Sequence, residues 1–102
     1  MLKKRIIIIA AHYYQEITDM LVEGAKNYCV ENDIEYLNYS VPGALEIPTA
    51  IKILNNRIKE ETSILSGFVA IGCVIKGETS HYDIVSNESA RGLTNLSLEH
   101  DI

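Results

Sequence analysis

The run Arg5 to Ala11, in which four consecutive isoleucines, Ile6 to Ile9, precede two alanines, constrains this chain more than any other feature. Side chains alternate across a strand, so a strand with one wet face alternates apolar and polar residues. A run that is apolar at every position has both faces covered, which is the signature of a parallel sheet carrying helices on each side. The run falls far short of the roughly 20 apolar residues needed to span a bilayer, and no signal-peptide cleavage pattern accompanies it.

The rest of the chain keeps this alternation. Ile17, Met20, Leu21, Gly24, Ala25 and Tyr28 fall at helical spacing and predict a helix with that apolar stripe inward. Asn32 and Asp33 mark a turn, and Ile34 to Val41 reads as a second strand. After Pro42 and Gly43 a second stripe follows: Ile47, Ala50, Ile51, Leu54 and Ile58. Pro48 falls in its first turn, where a missing N–H does least harm. Lys59 to Thr62 reads as an exposed helix end. Gly67 to Val74 is a third buried strand, and a third helix runs from about Tyr82 to Glu99 with Val85, Leu93 and Leu96 inward.

Three strands separated by helices predict parallel βαβ units in an open, doubly wound α/β sheet. Ligands of such sheets bind beyond the carboxyl ends of the strands. That rule selects three loops: Ala11 to Glu16, Pro42 to Glu46, and Ile75 to His81. With 102 residues the chain fits one domain, and a core this small gains from partner subunits. A three-stranded sheet leaves an edge and a helix face uncovered, so the sequence reads as a single incomplete domain over 1–102, as though another βα unit should follow Ile102.

Charge and cysteine content narrow the class. The net charge is −5, and the basic run Lys3, Lys4 and Arg5 is too short for a nucleic-acid footprint; it reads as a solvated flank of the first strand. The two cysteines, Cys29 and Cys73, form neither a disulfide framework nor a zinc motif, so the chain reads as a reduced, cytoplasmic protein.

The three loops carry the chemistry. Tyr13 and Tyr14 either stack on a flat heterocycle or pack on neighbouring loops. In Val-Pro-Gly-Ala-Leu-Glu, Gly43 allows a tight turn and close backbone approach. Glu46 suits the positive end of a helix, and either caps it or meets a ligand. Gly77, Thr79 and Ser80 precede a helix start, where free N–H groups and hydroxyls favour an anion such as phosphate, with Lys76 nearby. His81 beside that anion site is either a proton carrier or a helix-start residue bonded to backbone. Cys73 lacks an activating base in the sequence, and His12 and His100 read as structural.

These loops, in this order and spacing, resemble the lumazine synthase family. The segments that carry the likeness are Ile17-Thr18, Val41 to Pro48, and Gly72 to Asp83, with Asn87-Glu88 and Arg91-Gly92-Leu93 trailing. The resemblance implies a flavodoxin-like fold that goes on to a fourth strand and further helices. It implies condensation of 5-amino-6-(D-ribitylamino)uracil with 3,4-dihydroxy-2-butanone 4-phosphate to 6,7-dimethyl-8-ribityllumazine, with loss of phosphate and water. It implies no metal or organic cofactor, and assembly as a homopentamer or larger shell.

Carried over by position, Tyr13 stands where the family usually has a phenylalanine stacked on the pyrimidine. Ala44, Leu45 and Glu46 would line the uracil and ribityl site, and Cys73, Val74 and Ile75 would hold the ring through backbone groups. Glu78 and Thr79 would meet the phosphate, and His81 would transfer protons. Tyr14 replaces a common asparagine, and Glu78 a common small residue. The region that normally supplies an aromatic wall and a phosphate-binding arginine across a subunit interface cannot be assigned in this sequence, so the lone chain is expected to be weakly active or inactive. Two other readings stand beside an active enzyme: a non-catalytic remnant or assembly subunit of the same fold, and a flavodoxin-like binding module. The last fares worst, because Ala10-Ala11-His12-Tyr13 is not a glycine- and hydroxyl-rich phosphate loop.

Overall fold

The isoleucine run is the middle of the sheet. In the computed structural model, which describes residues 3–57 and 63–102, the first strand, β1 (Lys3–Ala11), pairs in parallel on both sides. Its neighbours are β2 (Glu35–Val41) and β3 (Ser63–Ile71), in the order β2-β1-β3. Ile7, Ile8, Ile9 and Ala10 are wholly buried, as a strand covered on both faces requires.

Alternation then sorts the core into two layers. Ile7, Ile9 and Ala11 face α2 (Ile47–Arg57) and α3 (His81–His100), packing with Ile47, Ile51 and Leu96. Ile8 and Ala10 face α1 (Gln15–Glu31), packing with Val22 and Ile71. The chain thus leaves β1 with a helix on one face and returns across it with helices on the other, the doubly wound arrangement expected from the sequence.

Local chemistry ends the elements where they end. Helix α1 closes with Asn32, whose amide N–H and side-chain Nδ2 both donate to the Tyr28 carbonyl. Asp33 takes the left-handed conformation at φ 54°, which short polar side chains tolerate. A 3-10 turn, Ala44–Glu46, leads into α2, where Pro48 is the second residue. Gly92 on α3 lets that helix approach α2: a Cβ there would lie 2.8 Å from Pro48 Cγ.

Three expectations are corrected. The stripe Ile17, Met20, Leu21, Gly24 and Tyr28 of α1 points outward, with Met20 70% exposed; Thr18, Val22 and Cys29 are buried instead. Ala25 alone of that stripe packs against the core. The third strand ends at Ile71, not Val74, because β1 offers no ladder partner beyond Ala11: Ile71 pairs with Ala10. At its other end β3 begins at Ser63, and an extra residue, Ser66, makes a bulge opposite Arg5 and Ile6. The basic run is a solvated flank at Lys3 and Lys4, which are exposed, but not at Arg5. Lys3 to Arg5 belong to β1, and Arg5 Nε and Nη2 both donate to Glu35 Oε1, at 3.1 and 2.8 Å, across the β1–β2 pair. The expectations for Ile58 and for Lys59 to Thr62 lie outside the described residues. No helix of the described residues is long and apolar enough to cross a membrane.

Candidate active site

The loops leaving β1, β2 and β3 meet around a cavity of about 270 Å³. Its first wall is Ala11, Tyr13 and Tyr14. The turn carrying the tyrosines is held from below by Thr18 on α1. The Thr18 hydroxyl, fully buried, donates to the Ala11 carbonyl at 3.0 Å, and the Thr18 N–H donates to the Tyr14 carbonyl at 3.1 Å. The Tyr13 ring is 74% exposed and meets Tyr14 edge-on, with centroids 5.0 Å apart and planes at 75°, a favoured aromatic geometry.

The second wall runs from Pro42 to Glu46. Gly43 has φ −149° and ψ 170°, an extended backbone open to any residue, so the tight-turn reading of this glycine is corrected. Its missing side chain matters for another reason. The Glu46 carboxylate folds back over it, and a Cβ at position 43 would lie 3.0 Å from Glu46 Oε2. The Glu46 N–H donates to the Gly43 carbonyl at 3.2 Å. A carboxylate is thereby held against the rim of the cavity, next to exposed backbone.

The third wall, Cys73, Val74 and Ile75, is irregular chain beyond β3. It is close to the other two because Gly72 packs its backbone near Ala44 and Ala11: a Cβ there would make ordinary contacts of 3.6 and 3.8 Å. His81, the first residue of α3, completes the lining together with Val85 one turn on. Its backbone N–H donates to Thr79 Oγ1 at 3.3 Å, so the Thr79 hydroxyl acts as a local cap on α3.

Of the residues expected at the site, the structure brings together Tyr13, Ala44, Leu45, Glu46, Cys73, Val74, Ile75 and His81. Glu78 and Thr79 are exposed and lie outside the lining. Tyr14, read in sequence both as a possible stacking residue and as a departure from the family, is part of the wall; Ala11, Pro42 and Gly43 join it from the loops the sequence selected, and Val85, expected only as an inward residue of the third helix, also lines it. Val85 could have been found from its spacing of four from His81, one turn of the same helix face. His12, read as structural, has two side-chain contacts: its Nδ1 lies 2.7 Å from Ser40 Oγ and its Nε2 3.3 Å from Asp19 Oδ1. Among the described residues no group of three or more His, Cys, Asp or Glu is placed to hold a metal.

The profile of the 6,7-dimethyl-8-ribityllumazine synthase family matches residues 3–102. The chain belongs to that family. A 6,7-dimethyl-8-ribityllumazine synthase of Afipia carboxidovorans is 47% identical over 98 residues, 96% of this chain and 60% of that protein. That of a Methylobacterium species is 47% identical over 94 residues, 92% of this chain and 52% of the relative. That of Agrobacterium fabrum is 43% identical over all 102 residues and 69% of its own length. The chain therefore spans about half to two thirds of the lumazine synthases it matches. The part of the family fold that it carries is the flavodoxin-like parallel sheet with its three strand-end loops, and those loops form the cavity described above.

Proposed function

We propose that this chain forms the aminouracil half of a lumazine synthase active site and works in condensing 5-amino-6-(D-ribitylamino)uracil with 3,4-dihydroxy-2-butanone 4-phosphate. The observation that carries this reading is the convergence of three separate family-like segments, Tyr13, Ala44 to Glu46, and Cys73 to Ile75, on one cavity that also holds His81. Tyr13 supplies an aromatic face for the pyrimidine. The backbone of Cys73 to Ile75 offers N–H and C=O groups to its edge, and the Glu46 carboxylate accepts hydrogen bonds from the ribityl hydroxyls.

The chemistry calls for a proton carrier. The ring amine attacks the ketone, water leaves as the imine forms, phosphate is eliminated, and the ribityl-bearing amine closes the ring on the remaining carbonyl with loss of a second water; each step moves a proton on or off nitrogen, carbon or oxygen. An imidazole can serve in both directions near neutral pH, and His81 stands at the cavity on the first turn of α3. The same helix start favours the phosphate of the second substrate, with Thr79 and the N–H of Glu78 beside it.

In this reading the chain is one domain of a cytoplasmic homo-oligomer, a pentamer or a larger shell, with no metal or organic cofactor in the reaction. The test is to mix protein with both substrates and follow lumazine absorbance. The expected result is weak turnover at most by the chain alone, and in any form that turns over, His81→Ala slows it by about 10²- to 10⁴-fold while aminouracil still binds. Full activity in that variant would remove the proton-transfer role, and failure of the unsubstituted protein to bind aminouracil would remove the site itself.

A further inference from the structure

His12, just past the end of β1, makes three contacts with two other elements. Its backbone N–H donates to the Val41 carbonyl at 3.3 Å, one step beyond the β1–β2 ladder. Its Nδ1 is 2.7 Å from the Ser40 hydroxyl near the end of β2. Its Nε2 is 3.3 Å from the Asp19 carboxylate on the second turn of α1. The next residue in the chain is Tyr13, whose ring is held by no core packing: it is 74% exposed and its recorded ring contact is the edge of Tyr14. The place of that ring is therefore set by the place of its backbone.

Two side chains tie that backbone down. Thr18 holds the turn to the end of β1 through the Ala11 and Tyr14 bonds. His12 holds its other side to β2 and α1. A hydroxyl turns freely, so Ser40 can either donate to Nδ1 or accept from it, and Nε2 faces the Asp19 carboxylate at ion-pair distance.

We infer that His12 is a positioning residue: bridged between Ser40 and Asp19, it fixes the turn that presents Tyr13 and Tyr14 to the cavity, and so sets affinity for a flat heterocycle without touching it. This inference rests on the reading of the cavity as an aminouracil site. Displacing an aromatic platform weakens the stacking it offers a flat ring.

The test compares the unsubstituted chain with His12→Ala and His12→Gln, whose amide offers a donor and an acceptor on a similar reach. Two quantities are read: amide hydrogen exchange at position 12 and at Thr18, whose N–H groups donate to the Val41 and Tyr14 carbonyls at either side of the turn, and the Kd for 5-amino-6-(D-ribitylamino)uracil. In His12→Ala, exchange at those two amides, corrected for the intrinsic rate of the substituted residue, quickens by about tenfold and Kd rises by about tenfold, while exchange in the β1 core is unchanged; His12→Gln recovers most of both. Unchanged exchange at those two amides in His12→Ala overturns the bracing role, whatever the ligand does. Quickened exchange with an unchanged Kd overturns the link to binding. If the unsubstituted chain binds no aminouracil, the functional reading falls on its own, and the exchange measurement still decides whether His12 holds the turn.

Discussion

Helices α1 and α2 pose the same problem to the sequence and solve it differently. Each carries an apolar stripe at helical spacing. In α2 the stripe Ile47, Ala50, Ile51 and Leu54 lies against the sheet. In α1 the comparable stripe, Ile17, Met20, Leu21 and Tyr28, faces outward, and the buried line is Thr18, Val22, Ala25 and Cys29. That second line also has helical spacing. Periodicity tells that a helix is amphipathic; it does not tell which of two adjacent stripes meets the sheet. Here the choice falls with Thr18, whose hydroxyl satisfies the Ala11 carbonyl inside the protein, where an unpaired polar atom would be costly. One polar residue on the inner line outweighs a larger but uncommitted apolar stripe.

The two faces of the sheet should respond differently to the same deletion. Ile9 faces the layer under α2 and α3, and Ile8 faces the layer under α1 alone. Both are wholly buried, so each truncation to alanine costs about 2–5 kcal/mol. The cost grows where the surroundings cannot collapse into the void, and a single helix settles more readily than a packed pair. Ile9→Ala is therefore expected to be the more damaging of the two in urea unfolding. Equal losses, or a larger loss for Ile8→Ala, would break the contrast between the faces.

The Thr18 argument has its own test. Thr18→Val keeps the shape and removes the donor, leaving the Ala11 carbonyl unpaired at the first wall of the cavity; the expected loss is about 1–3 kcal/mol in the same measurement. Ile17→Ser, on the outward stripe one residue earlier, should stay within about 0.5 kcal/mol. If Ile17→Ser proved the costlier change, the outward face of α1 would be buried in the molecule as it exists in solution.

The features legible in the sequence are those that depend on local pattern. The burial of β1 follows from Ile6 to Ile9 alone, and the turn at Asn32 and Asp33 from their side chains. The cavity follows from topology, because loops at the carboxyl ends of adjacent parallel strands must come together; Tyr13, Glu46 and His81 were found that way. What depended on register was hidden. The end of β3 is set by where β1 stops, not by the apolar run through Val74. The bridge from His12 to Ser40 joins residues 28 apart in the chain and exists only because the β1–β2 register sets Ala10 beside Ser40. Gly77, Thr79 and Ser80 have the composition of an anion loop, yet whether such residues face a cavity is settled by the backbone path into α3.

The glycines in the two helix layers give the finest form of the comparison. Gly92 sits in the contact between α3 and α2, where a Cβ would fall 2.8 Å from Pro48 Cγ and 3.0 Å from its Cβ. Those are ring atoms with little freedom to move, so Gly92→Ala forces the helices apart and costs about 1–3 kcal/mol as overpacking. Gly24 sits on the outward side of α1, where a Cβ would meet nothing within 4 Å, and no glycine of the described residues has positive φ. Alanine there removes backbone freedom from the unfolded chain and raises helix propensity, so Gly24→Ala should stabilise by about 0.5–1 kcal/mol. The same substitution thus carries opposite signs on the two helices, each read as a shift in Tm. A loss of stability in Gly24→Ala would mean that something packs on the outward stripe of α1 closely enough to need a glycine there, and the contrast between an uncovered α1 and a covered α3 would fail at its most sensitive point.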